Sequence, residues 1–243
     1  MSASSAAPAA AGSPLRVDVV IPARDEEEAI ARAVKSLPPA QVSHVIVVDN
    51  GSRDRTAEVA RRAGATVVSE PSRGYGAACL AALAFLRARP PEVVAFLDAD
   101  LSEDPAQLPE LLAPIREGRA DLVIGSRTLG EREPGSLTPV QGFGNRLATL
   151  LLRLFFGARF TDLGPFRAVR WEALERLGMR DRGYGWTVEM QARAARAGLR
   201  CAEVPVRHRK RRAGHSKVAG TLGGMVGAGV KIPLTILRVR LGG

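Results

Sequence analysis

The sequence predicts an α/β domain: a mostly parallel sheet flanked by helices. Three observations carry that prediction. Short apolar runs alternate with amphipathic stretches from residue 17 to about residue 126, the order that strand–helix–strand crossover units produce. The runs are almost continuously apolar, as parallel strands covered on both faces must be. Three of them end in clusters of polar residues, where open sheets of this type bind ligands.

Each element follows in order. Residues 17–21 read as the first strand and 25–37 as a helix, with Asp25 as its cap and Glu28 at capping-box spacing. Residues 45–48 form a second strand, and 53–63 a helix that Gly64 ends. A short strand over 66–68 precedes an Ala/Leu helix over 75–89, stopped by Pro90 and Pro91. A strand over 93–97 leads to Asp104-Pro105, which opens the next helix, with Gln107 completing a box. Residues 122–124 are another strand. Beyond residue 127 the alternation loosens. Residues 128–144 are a Gly- and Pro-containing loop, long enough to be functional or mobile. Helices are expected over 145–156, 171–177 and 186–197, and a strand from Cys201. A basic run covers 207–217, and an apolar, Gly-rich stretch broken by Pro233 covers 218–237. The glycines, Lys231 and Pro233 argue against a membrane span there. The expected division is a disordered tail over 1–14, one catalytic domain over 15–217 and an apolar helical segment over 218–243.

Composition narrows the function. The 243 residues are 46% hydrophobic but only 5% aromatic, so the core is aliphatic. Cys79 and Cys201 match no metal spacing and read as small core residues of a reduced, cytoplasmic protein. The first residues carry no charged and apolar signal pattern. A net charge of +10 points to acidic partners: nucleic acid, an anionic membrane face or phosphate-bearing substrates. No nucleic-acid motif is recognisable, and only Tyr75, Tyr184, Trp171 and Trp186 are available to stack on bases, so no specific nucleic-acid partner is expected.

The strand ends supply the chemistry. The first strand runs into Pro22-Ala23-Arg24-Asp25-Glu26-Glu27, the second into Asp49-Asn50-Gly51-Ser52, and the fourth into Asp98-Ala99-Asp100. Two carboxylates two residues apart offer hard oxygen ligands to Mg²⁺ or Mn²⁺, which bind through one or two carboxylates plus substrate phosphates. A lone D-x-D is more often a turn and a helix cap. Here Asp104 already serves as the cap, which leaves Asp98 and Asp100 without a structural task. Asp49 is either a turn former or an acceptor for a base or ribose group. Glu26, Glu27 and Glu28 suit a first helical turn, with one of them facing the nucleotide.

Taken together, residues 19–28, 47–54 and 96–100 resemble the family 2 glycosyltransferases of the GT-A fold, and look most like the dolichyl- or polyprenyl-phosphate mannosyl- and glucosyltransferase branch. The resemblance covers roughly residues 15–220. It implies a Rossmann-like sheet and a nucleotide-sugar donor. It implies that Pro22, Arg24 and Glu26 line the nucleoside side and that Asp49 binds the base. Asp98 contacts the nucleotide and Asp100 holds Mg²⁺ or Mn²⁺. Arg73-Gly74 is similar to the family's basic Gly loop, and Gly125-Ser126-Arg127 to its Gly-Ser-Arg. Arg211, Ser216 and Lys217 match a segment implied to close over the diphosphate. Some positions depart: Asp25 stands where Asn is frequent, Asn50 where Asp is frequent, and Ser102 where a Gln often assists the metal. Residues 161–167 resemble an Asp…Gly-Phe-Arg signature, one residue shorter.

The expected reaction is inverting transfer of a hexose from a UDP- or GDP-sugar, with a polyprenyl phosphate as acceptor. A hydroxyl acceptor needs a general base, for which Asp162 and Glu189 are the candidates. A phosphate acceptor does not, being anionic already. Arg146, Arg153, Arg159 and Arg167 flank the apolar helix over 145–156, a mixture suited to a lipid phosphate and to peripheral contact with the inner face of the cell membrane. The alternatives are a soluble hydroxyl acceptor and, less well supported, sugar-phosphate nucleotidyl transfer. The latter class carries a basic Gly-rich loop after the first strand, where this chain has Pro-Ala-Arg-Asp-Glu-Glu.

Overall fold

The computed structural model describes residues 15–211 and 222–242, and of 222–230 the backbone alone. The expected tail over 1–14, and Ser216 and Lys217, lie outside the described residues. The strands are β1 (Val17–Ala23), β2 (His44–Asp49), β3 (Thr66–Ser69), β4 (Val93–Phe96), β5 (Leu122–Ser126), β6 (Arg167–Arg170) and β7 (Cys201–Pro205). The helices are α1 (Ile30–Lys35), α2 (Thr56–Arg62), α3 (Tyr75–Leu86), α4 (Leu108–Arg116), α5 (Pro139–Phe156), α6 (Trp171–Leu177), α7 (Trp186–Arg196) and α8 (Leu222–Leu241). One sheet in the order β3-β2-β1-β4-β6-β5-β7 joins all seven strands.

Alternation along the strands builds a core on each face. Val20, Ile46, Val94 and Phe96 point to the side covered by α3, α5, α6, α7 and α8. Val19, Ile21, Val47 and Ala95 point to the side covered by α1 and α4. This two-sided burial explains the near-continuous apolar runs.

The sheet is mostly parallel, as expected, with β6 antiparallel to both β4 and β5. That four-residue strand, with Arg at both ends, offers too short an apolar run to be read from sequence. Four other expectations are corrected. The first helix starts at Ile30, not Asp25, because Asp25 adopts a left-handed backbone (φ 50°) and its carboxylate accepts the Arg53 N–H at 2.7 Å. Asp104 does accept the Ala106 N–H, but Gln107 forms no box; its side-chain carbonyl accepts from Arg207 N. The long loop ends at Thr138, whose hydroxyl and Gln141 form a capping box, so α5 begins six residues earlier than expected. Pro233 does not break the terminal helix, which continues through it.

Candidate active site

The topology brings the carboxyl ends of β1, β2, β4 and β5 to one edge, and β6, running the other way, begins there. A cleft along this edge is lined by Pro22, Arg24, Glu26, Gly74, Asp98, Asp100 and Arg211 among the expected residues, together with Asn50, Tyr75 and Tyr184.

Its first wall is a stitched pair of loops. After β1, the Asp25 N–H donates to Ser52 Oγ, the Glu26 N–H to Thr56 Oγ1 and the Glu27 N–H to Asp54. The loop after β2 is thereby fixed against the loop after β1. Asp49 accepts the Ser52 N–H at 3.2 Å, so part of its turn-forming role is real. Asn50 is the residue whose part the sequence did not disclose. Its amide donates to Glu70 O and Ser72 O, and its carbonyl accepts the Gly74 N–H at 2.8 Å. It therefore positions the Arg73-Gly74 loop. Arg73 itself is exposed and does not line the cleft.

The second wall is the Asp98–Asp100 turn. Asp98 is half-buried, and its Oδ1 is sealed from solvent without a hydrogen-bond partner. Burial, then the nearby Glu103 and Asp100 carboxylates, push its carboxyl well above the usual range, with Arg211 opposing. Asp100 accepts the Ser102 N–H at 2.9 Å through one oxygen, and its other oxygen lies 2.8 Å from Arg211. Arg211 also reaches Glu26 at 3.0 Å. Leu101, directly after Asp100, is left-handed at φ 59°, a strained conformation of the sort that clusters at functional sites. Ser102 turns away and donates to Glu103 at 2.9 Å.

These carboxylates fit a hard cation. An orphaned, buried Asp98 oxygen beside a second carboxylate is an arrangement that a positive charge relieves. Among the described residues no group of three or more His, Cys, Asp or Glu side chains is arranged to hold a metal. Remaining ligands would therefore come from a diphosphate and water, as is usual for Mg²⁺.

Arg211 reaches the cleft because the segment after β7 is strapped down. The Arg209 N–H donates to Ser102 O, the Lys210 N–H to Glu133, and buried His208 sits 3.5 Å from buried Glu103.

The two candidate bases have other occupations. Asp162 is fully buried and accepts from the Arg127 backbone N–H and, bidentately, from its guanidinium, each at 2.8 Å. Burial would raise this carboxyl, but Arg127 holds it below the ordinary value. Glu189 is also buried. It accepts from the backbone N–H groups of Arg180 and Asp181 and from Arg193 Nε. What it anchors is the loop before α7, whose Arg182 and Gly183 carbonyls accept from the Ala77 and Gly76 N–H groups at the start of α3. Neither carboxylate offers a free oxygen to an acceptor. Gly74 and Gly76 thus admit a close approach by this loop's backbone: a Cβ at either would collide with the Arg182 or Asp181 carbonyl.

Arg167 also departs from its expected place on the surface. It is fully buried, donates to the Gly164 and Thr187 carbonyls, and is lowered by burial to about 10. Arg146, Arg153 and Arg159 are exposed as expected.

A second hollow adjoins the first. It shares Tyr75, Asp98 and Tyr184 with the polar cleft and adds Arg127, Val140, Phe143, Leu147, Leu163, Ile232 and Pro233. It is an apolar groove between α5 and α8 with charged residues at its inner end, and its volume is about 360 Å³. Among the described residues no helix is long and apolar enough to cross a membrane.

The profile described as Glycosyl transferase family 2 matches residues 18–178. An uncharacterized glycosyltransferase of Mycobacterium tuberculosis is 41% identical over 212 residues, covering 86% of this chain and 93% of its own. An undecaprenyl-phosphate mannosyltransferase of Micrococcus luteus is 33% identical over 227 residues, covering 89% and 91%. Among solved structures, glucosyl-3-phosphoglycerate synthase of M. tuberculosis in complex with Mn²⁺, UDP and glucosyl-3-phosphoglycerate superposes with a TM-score of 0.72 at 26% identity, covering 94% of this chain and 80% of that one. The fold is accordingly GT-A.

Proposed function

Because the chain belongs to glycosyl transferase family 2, we propose that it moves a hexose from a UDP- or GDP-sugar to a polyprenyl phosphate, inverting the anomeric carbon. The observation that carries this reading is the junction of two unlike hollows. The polar cleft with Asp98 and Asp100 suits a nucleoside diphosphate. The groove that opens from it at Asp98, Tyr75 and Tyr184 is lined mainly by apolar side chains, as a lipid tail requires. The likeness to the undecaprenyl-phosphate mannosyltransferase supports the acceptor, and the UDP- and Mn²⁺-bound neighbour supports the donor class.

In this reading Pro22, Arg24, Glu26 and Asp49 hold the nucleoside side, and Arg73 and Gly74 border the diphosphate. Ser216 and Lys217, with Arg211, close over it. Asp98 and Asp100 would hold Mg²⁺ or Mn²⁺, which when bound supplies neutralisation of the diphosphate leaving group. Arg127, fixed by Asp162 at the inner end of the groove, presents positive charge to the acceptor phosphate. A phosphate oxygen attacks the anomeric carbon as the bond to the diphosphate breaks. That oxygen carries no proton to remove, which agrees with Asp162 and Glu189 being engaged elsewhere; both act as positioning residues. The protein would work at the cytoplasmic face of the membrane.

The test supplies UDP- or GDP-hexoses, Mn²⁺ and a short-chain polyprenyl phosphate, and follows hexose into the organic phase. Transfer is expected with one donor, and Asp100→Asn should lower it at least about a hundredfold with an unchanged circular dichroism spectrum. Hexose found only on a soluble hydroxyl compound would refute the acceptor. Released pyrophosphate would instead indicate nucleotidyl transfer.

A further inference from the structure

Helix α5 is poorly explained by the core. Of its 18 residues only Ala148 and Leu152 are buried, although the helix is rich in Leu and Phe. Phe143 and Leu154 are each 69% exposed, and Val140 and Leu150 more than half exposed. Positions 140, 143, 147, 150 and 154 recur at alternating intervals of three and four, so they form one stripe along the helix. Its neighbour α8 repeats the pattern. Ile236 and Val239 are buried, while Leu234, Leu237 and Leu241 lie outward at the same spacing, Leu241 being 79% exposed. Single exposed leucines are ordinary, but outward apolar rows on each of two packed helices are not. The groove described above runs between these helices, lined by Val140, Phe143 and Leu147 of the α5 stripe on one side and by Ile232 and Pro233, next to the α8 stripe, on the other.

The charge around the stripes has one sign. There is no Asp or Glu between Glu133 and Asp162, and none after Glu203. Arg146 and Arg153 on α5, and Arg238 and Arg240 on α8, are exposed. Among the described residues no carboxylate forms an ion pair with any of these four. An apolar stripe bordered by unneutralised arginines matches an anionic bilayer surface, which accepts apolar side chains at the acyl boundary and cations at its phosphates. A protein partner with an apolar face alone would leave the arginines without counter-charge.

We propose that α5 and the C-terminal half of α8 form a face that lies flat on an anionic membrane, with the groove opening towards the lipid. The inference rests on the lipid-phosphate acceptor reading for its purpose, because a groove that faces the bilayer takes its acceptor without drawing the lipid through water.

Flotation of the full chain tests it, with vesicles of equal parts phosphatidylglycerol and phosphatidylcholine and with phosphatidylcholine alone, at about 0.15 M salt. The wild-type protein should float with the anionic vesicles. The double variant Leu150→Glu/Leu154→Glu, outside the groove lining, should bind them at least about tenfold more weakly. Arg153→Gln and Arg240→Gln should each weaken binding about fivefold on anionic vesicles and leave neutral ones unaffected. In parallel, transfer to a detergent-soluble short-chain polyprenyl phosphate is measured without vesicles, where the Leu150/Leu154 variant should match wild type. Flotation without transfer would leave the face standing and remove the acceptor reading; transfer without flotation would do the reverse. A wild-type dimer that the Leu150/Leu154 variant dissociates, read by light scattering, would make the face a contact between copies and overturn the proposal.

Discussion

Asp162 and Arg127 hold each other in a place neither leaves cheaply, with three hydrogen bonds of 2.8 Å and almost no solvent contact. Replacing Asp162 with Asn leaves a buried guanidinium without its counter-charge, which costs about 3–5 kcal/mol of stability; a lower urea midpoint is the expected result. The pH dependence has a definite sign. The folded carboxyl sits below its unfolded value, so its contribution is fully present above the unfolded pKa of about 3.9 and disappears as pH falls through the folded one. Urea titrations from neutral pH downward should show that acid loss in wild type and not in Asp162→Asn. If the variant still folds at low temperature, a general base at this position predicts a kcat collapse with a flat KM. The positioning role predicts that KM for the acceptor rises, because Arg127 loses its orientation. Residue roles of this sort were only half legible in the sequence. Asp98 and Asp100 could be picked out because they follow an apolar strand, and Pro22 and Glu26 through the family resemblance. Asn50 and Arg167 could not, since nothing in a sequence distinguishes an amide that laces three backbone groups from a turn former, or a buried guanidinium from a surface one.

Among the elements, α3 and the loop before α7 depend on each other. The first N–H groups of α3 have no partners within the helix, and the Arg182 and Gly183 carbonyls supply them. The approach is so close that Gly76 has no room for a Cβ beside Asp181 and Arg182. Gly76→Ala should therefore destabilise by about 1–3 kcal/mol and weaken donor binding, since Tyr75 and Tyr184 both border the cleft. Gly142 gives the matched control. It lies in α5 with open space around it, so Gly142→Ala should raise stability by up to about 1 kcal/mol. Denaturant midpoints of the two variants should move in opposite directions. The sequence disclosed α3 by its Ala/Leu content and stop at Pro90, and the glycines by their place before it. It did not disclose what approaches them, because that contact spans more than a hundred residues of chain. For α5 the opposite held: the capping pair Thr138 and Gln141 was present, but the six Gly and Pro residues between 128 and 144 outweighed it.

At the scale of the whole molecule, the parallel half was readable because its strands are apolar on both faces and its ligand edge follows from topology alone. The C-terminal half was less so, since β6 is short and antiparallel and, among the described side chains of α8, Ile236 and Val239 are the buried apolar ones in an otherwise ambiguous apolar run. The same topology sets how the molecule should respond to ligand. Asp98, Asp100 and Glu26 crowd negative charge at one sheet edge, and Arg211 is the described cation that bridges two of them. A nucleoside diphosphate alone adds more negative charge there, whereas the diphosphate with a divalent cation adds little. Stabilisation by nucleotide should therefore depend on metal. At a hundred times its dissociation constant a ligand that binds only the folded state contributes about 2.7 kcal/mol, which for a domain of this size raises Tm by about 5–11 °C. A thermal-shift panel of UDP-, GDP- and dTDP-sugars with and without Mn²⁺ should give that rise for one donor with metal and little without it. Asp100→Asn should abolish the metal-dependent part. A full shift in the absence of metal would mean that Arg211 and its basic neighbours neutralise the diphosphate unaided, and that Asp98 and Asp100 serve the sugar instead.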